Sequence, residues 1–208
     1  MADIAPILQK MRADAPLVQC ITNYVAMNIA ANVLLAAGAS PAMVHAKEEA
    51  GEFAGIASAV TINIGTLSPD WLAGMKAAAE TANRNRTPWV LDPVAHFATG
   101  FRARAALEML DLGPTILRGN ASEILAFSGA TSAGKGVDAG DSVAAAEETA
   151  KTLASERKMV VAVTGERDFV TDGSRVARIG GGSALMPRVT ALGCALTALV
   201  GGYAGAWR

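Results

Sequence analysis

Short apolar runs alternate along this chain with longer alanine-rich stretches, and that alternation is what a mainly parallel sheet joined by crossover helices requires. The runs 41–44, 60–64, 89–91, 115–117 and 159–163 read as buried strands. Helices are expected over 27–37, 47–59, 69–84, 102–110, 121–127 and 141–156, and a buried apolar one over 191–206. Ser68 before Pro69 makes an N-cap with proline at the first helical position, and Asn120 with Glu123 has capping-box spacing. Residues 169–179 read as two short strands around a Thr-Asp-Gly-Ser turn, an antiparallel hairpin on one edge of the sheet. No internal repeat divides the chain, so a single α/β domain over 1–208 is expected, with helices on both faces of a mainly parallel central sheet.

The 208 residues, 51% of them hydrophobic and 18% charged, are enough to bury a substantial core. Lys+Arg at 18 against Asp+Glu at 19 leaves a net charge of −1, which recruits neither a nucleic-acid backbone nor an anionic membrane. Cys20 and Cys194 are too few for a disulfide framework, and no signal-peptide pattern opens the chain, so a cytoplasmic protein is expected. Glycine, proline, asparagine or charge interrupts every apolar segment before the roughly 20 residues a bilayer demands. The chain stops at an apolar helix with no polar tail, which leaves two readings: a missing continuation, or a terminus packed against a partner subunit.

Ligands of open α/β sheets bind beyond the carboxyl ends of the strands. Asp92, the string Arg118-Gly-Asn-Ala-Ser-Glu123 and Thr164-Gly165-Glu166 stand there. Arg118 beside a helix N-terminus suits a phosphate oxygen. Glu123 either faces a divalent cation or ordered water, or only closes the cap with Asn120. Asp92 before Pro93 either orients water on Mg²⁺ or turns the chain. Thr164 and Gly165 offer a hydroxyl and a yielding backbone to a nucleotide phosphate, or a tight turn. Gly193 and Cys194 begin the last helix, where N–H groups form an anion hole for a phosphoryl group and a thiol is a base or polar orienter; a small core cysteine is the plainer reading. Gly129-Ala-Thr-Ser-Ala-Gly-Lys-Gly136 imitates a P-loop but lacks the final Ser or Thr and follows a helix, so a surface loop is expected. Cys20, Cys194, His45 and His96 lack zinc-site spacing.

Over essentially its whole length the chain resembles the hydroxyethylthiazole kinase family. Ile21-Thr-Asn-Tyr-Val25, Gly38-Ala-Ser-Pro-Ala-Met43, Ile64-Gly-Thr-Leu67, Leu91-Asp-Pro-Val94, Arg118-Gly-Asn-Ala-Ser-Glu123, Val163-Thr-Gly-Glu166 and Gly193-Cys194 follow in the family's order. The resemblance implies a ribokinase-like fold, ATP as cosubstrate, Mg²⁺, phosphorylation of 4-methyl-5-(2-hydroxyethyl)thiazole in thiamine salvage, and a homotrimer with active sites between subunits. It implies nucleotide contacts at Arg118, Thr164 and Gly165, and acids organising Mg²⁺ at Asp92 and Glu123. Asn23, Met43, Ala191 and Gly193 fall on the substrate side, and Cys194 stands where the wider ribokinase-like group has a catalytic Asp. The sequence departs from the family at Ala191-Leu192, where Gly-Thr is usual, which removes backbone freedom and a hydroxyl. Family members run several tens of residues further, so the closing C-terminal helices are expected to be missing. The rival readings are a non-catalytic thiazole-binding remnant and a nucleotide-hydrate dehydratase on the same fold.

Overall fold

The computed structural model describes residues 4–129 and 142–207. In chain order the elements are α1 (Ala5–Asp14), β1 (Leu17–Ile21), α2 (Met27–Ala37), β2 (Ser40–Ala42), α3 (Ala50–Ala54), β3 (Ala59–Asn63), α4 (Pro69–Asn85), β4 (Trp89–Asp92), α5 (Gly100–Asp111), β5 (Ile116–Asn120), α6 (Ala121–Ala126), α7 (Val143–Arg157), β6 (Val160–Thr164), β7 (Asp168–Thr171), β8 (Val176–Ile179) and α8 (Leu192–Ala206). They group into two compact units, one of Met1–Val90 with Val189–Arg208, the other of Leu91–Arg188. β4 is shared between them. Among the described residues no helix is long and apolar enough to cross a membrane.

In the first unit the strand order is β2-β1-β3, all parallel. Successive side chains of β1 point to opposite faces, as strand geometry dictates. Val18 and Cys20 enter a core with Met11 of α1, Ala30 and Leu34 of α2, Ala39 from the turn before β2, and Ala198 and Ala206 of α8. Gln19 between them points the other way, where its amide donates to the carbonyls of Val44 and Ala50, both at 3.0 Å. Helices therefore cover both faces here, and each fully buried Leu34-type side chain stabilises by about 1.5–3 kcal/mol. α8 lies on β1 and β3 through small residues: a Cβ built on Gly201 would come 2.3 Å from Thr61 Cγ2, and one on Gly205 3.2 Å from Ala59 Cβ. α4 begins as expected, with Ser68 Oγ accepting from the Trp71 N–H at 3.2 Å.

The second unit carries the order β5-β6-β7-β8, with β5 and β6 parallel and the last two strands antiparallel. The edge hairpin is thus as expected. Its turn is tied by Asp172, whose carboxylate accepts from the N–H groups of Ser174 and Arg175 at 3.0 and 2.7 Å. The Arg175 N–H holds that carboxyl well below the usual carboxylate range.

Several boundaries differ from expectation. α3 occupies only Ala50–Ala54 of the helix expected over 47–59, because Gly51 and Gly55 favour helix weakly and Ala59 is already committed to β3. The strand expected over 41–44 runs Ser40–Ala42, and α1 and β1 were not foreseen. α7 starts at Val143 on a Ser142 cap; position 141, and the P-loop imitation beyond Gly129, lie outside the described residues.

Candidate active site

Two polar clusters form where strands end, one within each unit. In the second unit Arg118 leaves β5 with its side chain only 11% exposed. Its Nη2 donates to Thr164 Oγ1 at 2.6 Å and its Nη1 lies 3.5 Å from Asp92 Oδ2. The parallel register, Asn120 opposite Thr164, brings the ends of β5 and β6 level, and Asp92 is the last residue of β4. Arg118 Nε is buried and has no hydrogen-bond partner among the described residues. Gly165 follows Thr164 and donates its N–H to Asp168 Oδ1 at 2.9 Å. A side chain at 165 would strike Val143 Cγ2 at 2.5 Å.

Glu123 joins this cluster from the first turn of α6. The capping box legible in the sequence is formed: the Glu123 N–H reaches Asn120 Oδ1 at 2.9 Å and the Asn120 N–H reaches Glu123 Oε2 at 2.8 Å. The other oxygen, Oε1, accepts from the Ala95 N–H at 2.9 Å, a contact across 28 residues that no local pattern announces. Ala95 adopts the left-handed region at φ 48°. The loop that holds it is braced by Arg102, which donates to the carbonyls of Val94 and Ala95, and by His96, stacked 4.2 Å from Phe127.

Burial pushes the Glu123 carboxyl up from 4.5 to about 7, and the Asp92 carboxylate adds to the rise; the N–H groups of Ala95 and Asn120 and the Arg118 guanidinium pull the other way. A carboxyl raised in the folded state keeps a proton that the unfolded chain has released. Its contribution to stability is therefore complete below about pH 4.5 and is lost as pH rises through about 7. His96 acts oppositely: burial pushes its imidazole from 6.5 down to about 4, so its contribution is present above 6.5 and lost as pH falls. The Glu123 effect is thus a difference measurement. Relative to wild type, Glu123→Gln is expected to recover on the order of 1 kcal/mol per pH unit between about pH 5 and 7, read by urea unfolding without divalent cations. A difference that stays flat with pH rejects that assignment.

In the first unit Asn23 lies two residues beyond β1 and is 5% exposed. Its Oδ1 accepts from the Ala26 N–H at 3.0 Å, while its Nδ2 donates to Asn63 Oδ1 at 2.8 Å and to Cys194 Sγ at 3.3 Å. Asn63 Oδ1 also accepts from the Gly65 N–H at 3.0 Å. Met43 follows β2 and packs against the α1–α2–α8 core, its carbonyl 3.1 Å from His45 Nδ1. Tyr24 and His45 both contact the Trp71 ring, at 4.8 and 4.7 Å between centroids. Ala191 is the N-cap of α8, in the left-handed region at φ 61°, and no side chain caps the helix. Gly193 and Cys194 occupy the first turn, with Cys194 half-buried.

The structure therefore brings Arg118, Asp92, Thr164 and Glu123 together in one unit, and Asn23 and Cys194 together in the other. Asn63, Gly65 and Ala95 were not foreseen; a lone asparagine inside the apolar run 60–64 was the available signal for the first. Among the described residues no group of three or more His, Cys, Asp or Glu side chains is arranged to hold a metal.

Comparison with known proteins bears on what these clusters belong to. The profile of the hydroxyethylthiazole kinase family matches residues 8–207. A hydroxyethylthiazole kinase from Rhizobium rhizogenes is 67% identical over 198 residues, covering 95% of this chain and 74% of that protein. The solved hydroxyethylthiazole kinase from Pyrococcus horikoshii OT3 superposes with a TM-score of 0.87 at 42% identity, over 97% of this chain and 76% of that one. A ribokinase-like superfamily protein from Enterococcus faecalis, at 10% identity and a TM-score of 0.63 over 99% of this chain and 75% of its own, shares the fold alone. With a family profile spanning nearly every residue and a relative two-thirds identical, this ribokinase-like α/β chain belongs to the hydroxyethylthiazole kinase family.

Proposed function

We propose that the chain is one kinase domain that transfers the γ-phosphoryl group of ATP to the hydroxyethyl oxygen of 4-methyl-5-(2-hydroxyethyl)thiazole, in thiamine salvage. The observation that carries this reading is the buried Arg118, held between Asp92 and Thr164 at the strand ends with one N–H that has no acceptor among the described residues. A guanidinium so fixed needs no reorganisation to meet phosphate oxygens. Thr164 and Gly165 are the other nucleotide contacts; Asn23, Met43, Ala191 and Gly193 serve the acceptor, and Cys194 takes its proton.

Asp92 and Glu123 fit Mg²⁺. Both offer hard oxygen donors, and although burial is the main cause of the rise of the Glu123 carboxyl, the share that Asp92 adds is a like-charge conflict that a cation relieves. Two acids suffice because Mg²⁺ usually binds one or two carboxylates, several waters and substrate phosphates. When bound, the ion neutralises phosphate charge. Phosphoryl transfer passes through a loose transition state that needs little base assistance, so positioning by the chain's own residues carries most of the work.

Cys194→Asp is accordingly expected to preserve or raise turnover in a steady-state assay, since a carboxylate also accepts from the Asn23 N–H; a large loss would mean that the thiol is structural. The function itself is tested by incubating purified protein with ATP, Mg²⁺ and the thiazole alcohol and weighing the product by mass spectrometry. Absence of a phosphorylated thiazole from folded protein that still binds the thiazole by calorimetry rejects the kinase and favours a thiazole binder. The same reading includes a cytoplasmic homotrimer with active sites between subunits, for which light scattering gives the mass directly.

A further inference from the structure

We infer that Asn63 is a positioning residue for the proposed phosphoryl transfer: its side-chain oxygen holds the Asn23 amide so that Asn23 donates an N–H to the Cys194 sulfur. This rests on the reading of Cys194 as the group that receives the acceptor's proton. The direction of the chain of hydrogen bonds is fixed by backbone donors. The Gly65 N–H can only donate, so the Asn63 atom 3.0 Å from it is oxygen. The Ala26 N–H, 3.0 Å from the Asn23 amide, fixes the Asn23 oxygen in the same way. The Asn23 NH₂ is thereby left facing Asn63 Oδ1 at 2.8 Å and Cys194 Sγ at 3.3 Å, with one hydrogen for each. Neither amide can flip without placing a nitrogen against a backbone N–H.

Both amides are buried, Asn63 at 1% and Asn23 at 5% exposure, and Gly65 supplies the room: a Cβ there would lie 2.6 Å from Asn23 Nδ2. The sulfur is consequently an acceptor toward Asn23. A hydrogen bond to the charged form favours that form, so the chain stabilises thiolate over thiol. In the transfer step the alcohol's proton passes to the sulfur, its oxygen bonds to the γ-phosphorus, and the β–γ bridging oxygen leaves with ADP.

The test uses the full chain and iodoacetamide. Of the two cysteines, Cys20 is fully buried, so alkylation of folded protein reports on Cys194. Asn63→Ala is expected to raise the pH midpoint of alkylation by about one unit. It should also lower kcat about tenfold while the thiazole KM stays within about twofold. In a Cys194→Ala background the same change should cost no further kcat. An unmoved midpoint, or an equal kcat loss in both backgrounds, would mean a purely structural residue and overturn the inference. Asn63→Ser, whose hydroxyl is too short to span to Asn23, should shift the midpoint the same way if the alanine variant does not fold, and an unshifted serine variant overturns it equally. A shifted midpoint in wild-type-like protein that transfers no phosphate supports the hydrogen-bond chain and refutes the kinase reading alone.

Discussion

Arg118→Ala is expected to lower kcat/KM for ATP between about a hundredfold and a thousandfold, the range for removing one preorganised donor from a site of developing charge. It should also cost about 3 kcal/mol of stability, the lower end for breaking a buried pair, because the 3.5 Å separation from Asp92 is long and the guanidinium is 11% exposed. The two effects share one cause. Without the guanidinium, Asp92 loses the cation beside it in a buried place and Glu123 loses a group that holds its carboxyl down. Arg118→Lys separates them: a single ammonium restores the charge but cannot reach both Asp92 and Thr164 Oγ1, so stability should largely return while turnover stays depressed. Kinetics with varied ATP, set beside urea unfolding of both variants, decide the matter. Wild-type kinetics in the alanine variant would remove Arg118 from the nucleotide site.

The largest purely structural effect is expected at Gly201. Gly201→Ala should cost about 2–3 kcal/mol, despite alanine's advantage of roughly 1 kcal/mol within a helix, because its Cβ would sit 2.3 Å from Thr61 Cγ2. Thr61 is 2% exposed on β3, opposite Cys20 of β1, and the next atom met, Val18 Cγ1, is at 3.5 Å. The clash is therefore with one methyl group. Thr61→Ser deletes that methyl and keeps the hydroxyl, so Gly201→Ala in the serine background should cost under about 1 kcal/mol, a coupling that a double-mutant cycle reads. Equal costs in the two backgrounds would show that something other than this contact makes alanine unwelcome.

Much of the second unit was legible because its signals are local. Asn120 and Glu123 are three residues apart, and their reciprocal bonds follow from helix geometry alone. Asp92 and Thr164 were legible as polar residues ending apolar strands, and Arg118 as one following the apolar run 115–117, although β5 continues through it to Asn120. What escaped was tertiary. β1 was hidden by Gln19, a polar residue amid Leu17, Val18, Cys20 and Ile21, whose burial makes sense only once the Val44 and Ala50 carbonyls are in place to receive it. α1 opens at Ile4 without a capping side chain, so only Pro6 in its first turn marked its start. Asn63 and Ala95 act through partners 40 and 28 residues away, distances over which periodicity carries no information.

The left-handed Ala191 at the head of α8 bears on how the sequence has drifted. A non-glycine residue there carries about 1 kcal/mol of backbone strain that glycine would not. Every alanine codon is one base change from a glycine codon, so relief is always a single mutation away. Alanine at this place is thus a small, reversible deficit, of the size that selection leaves in place as long as the fold stays above its stability threshold.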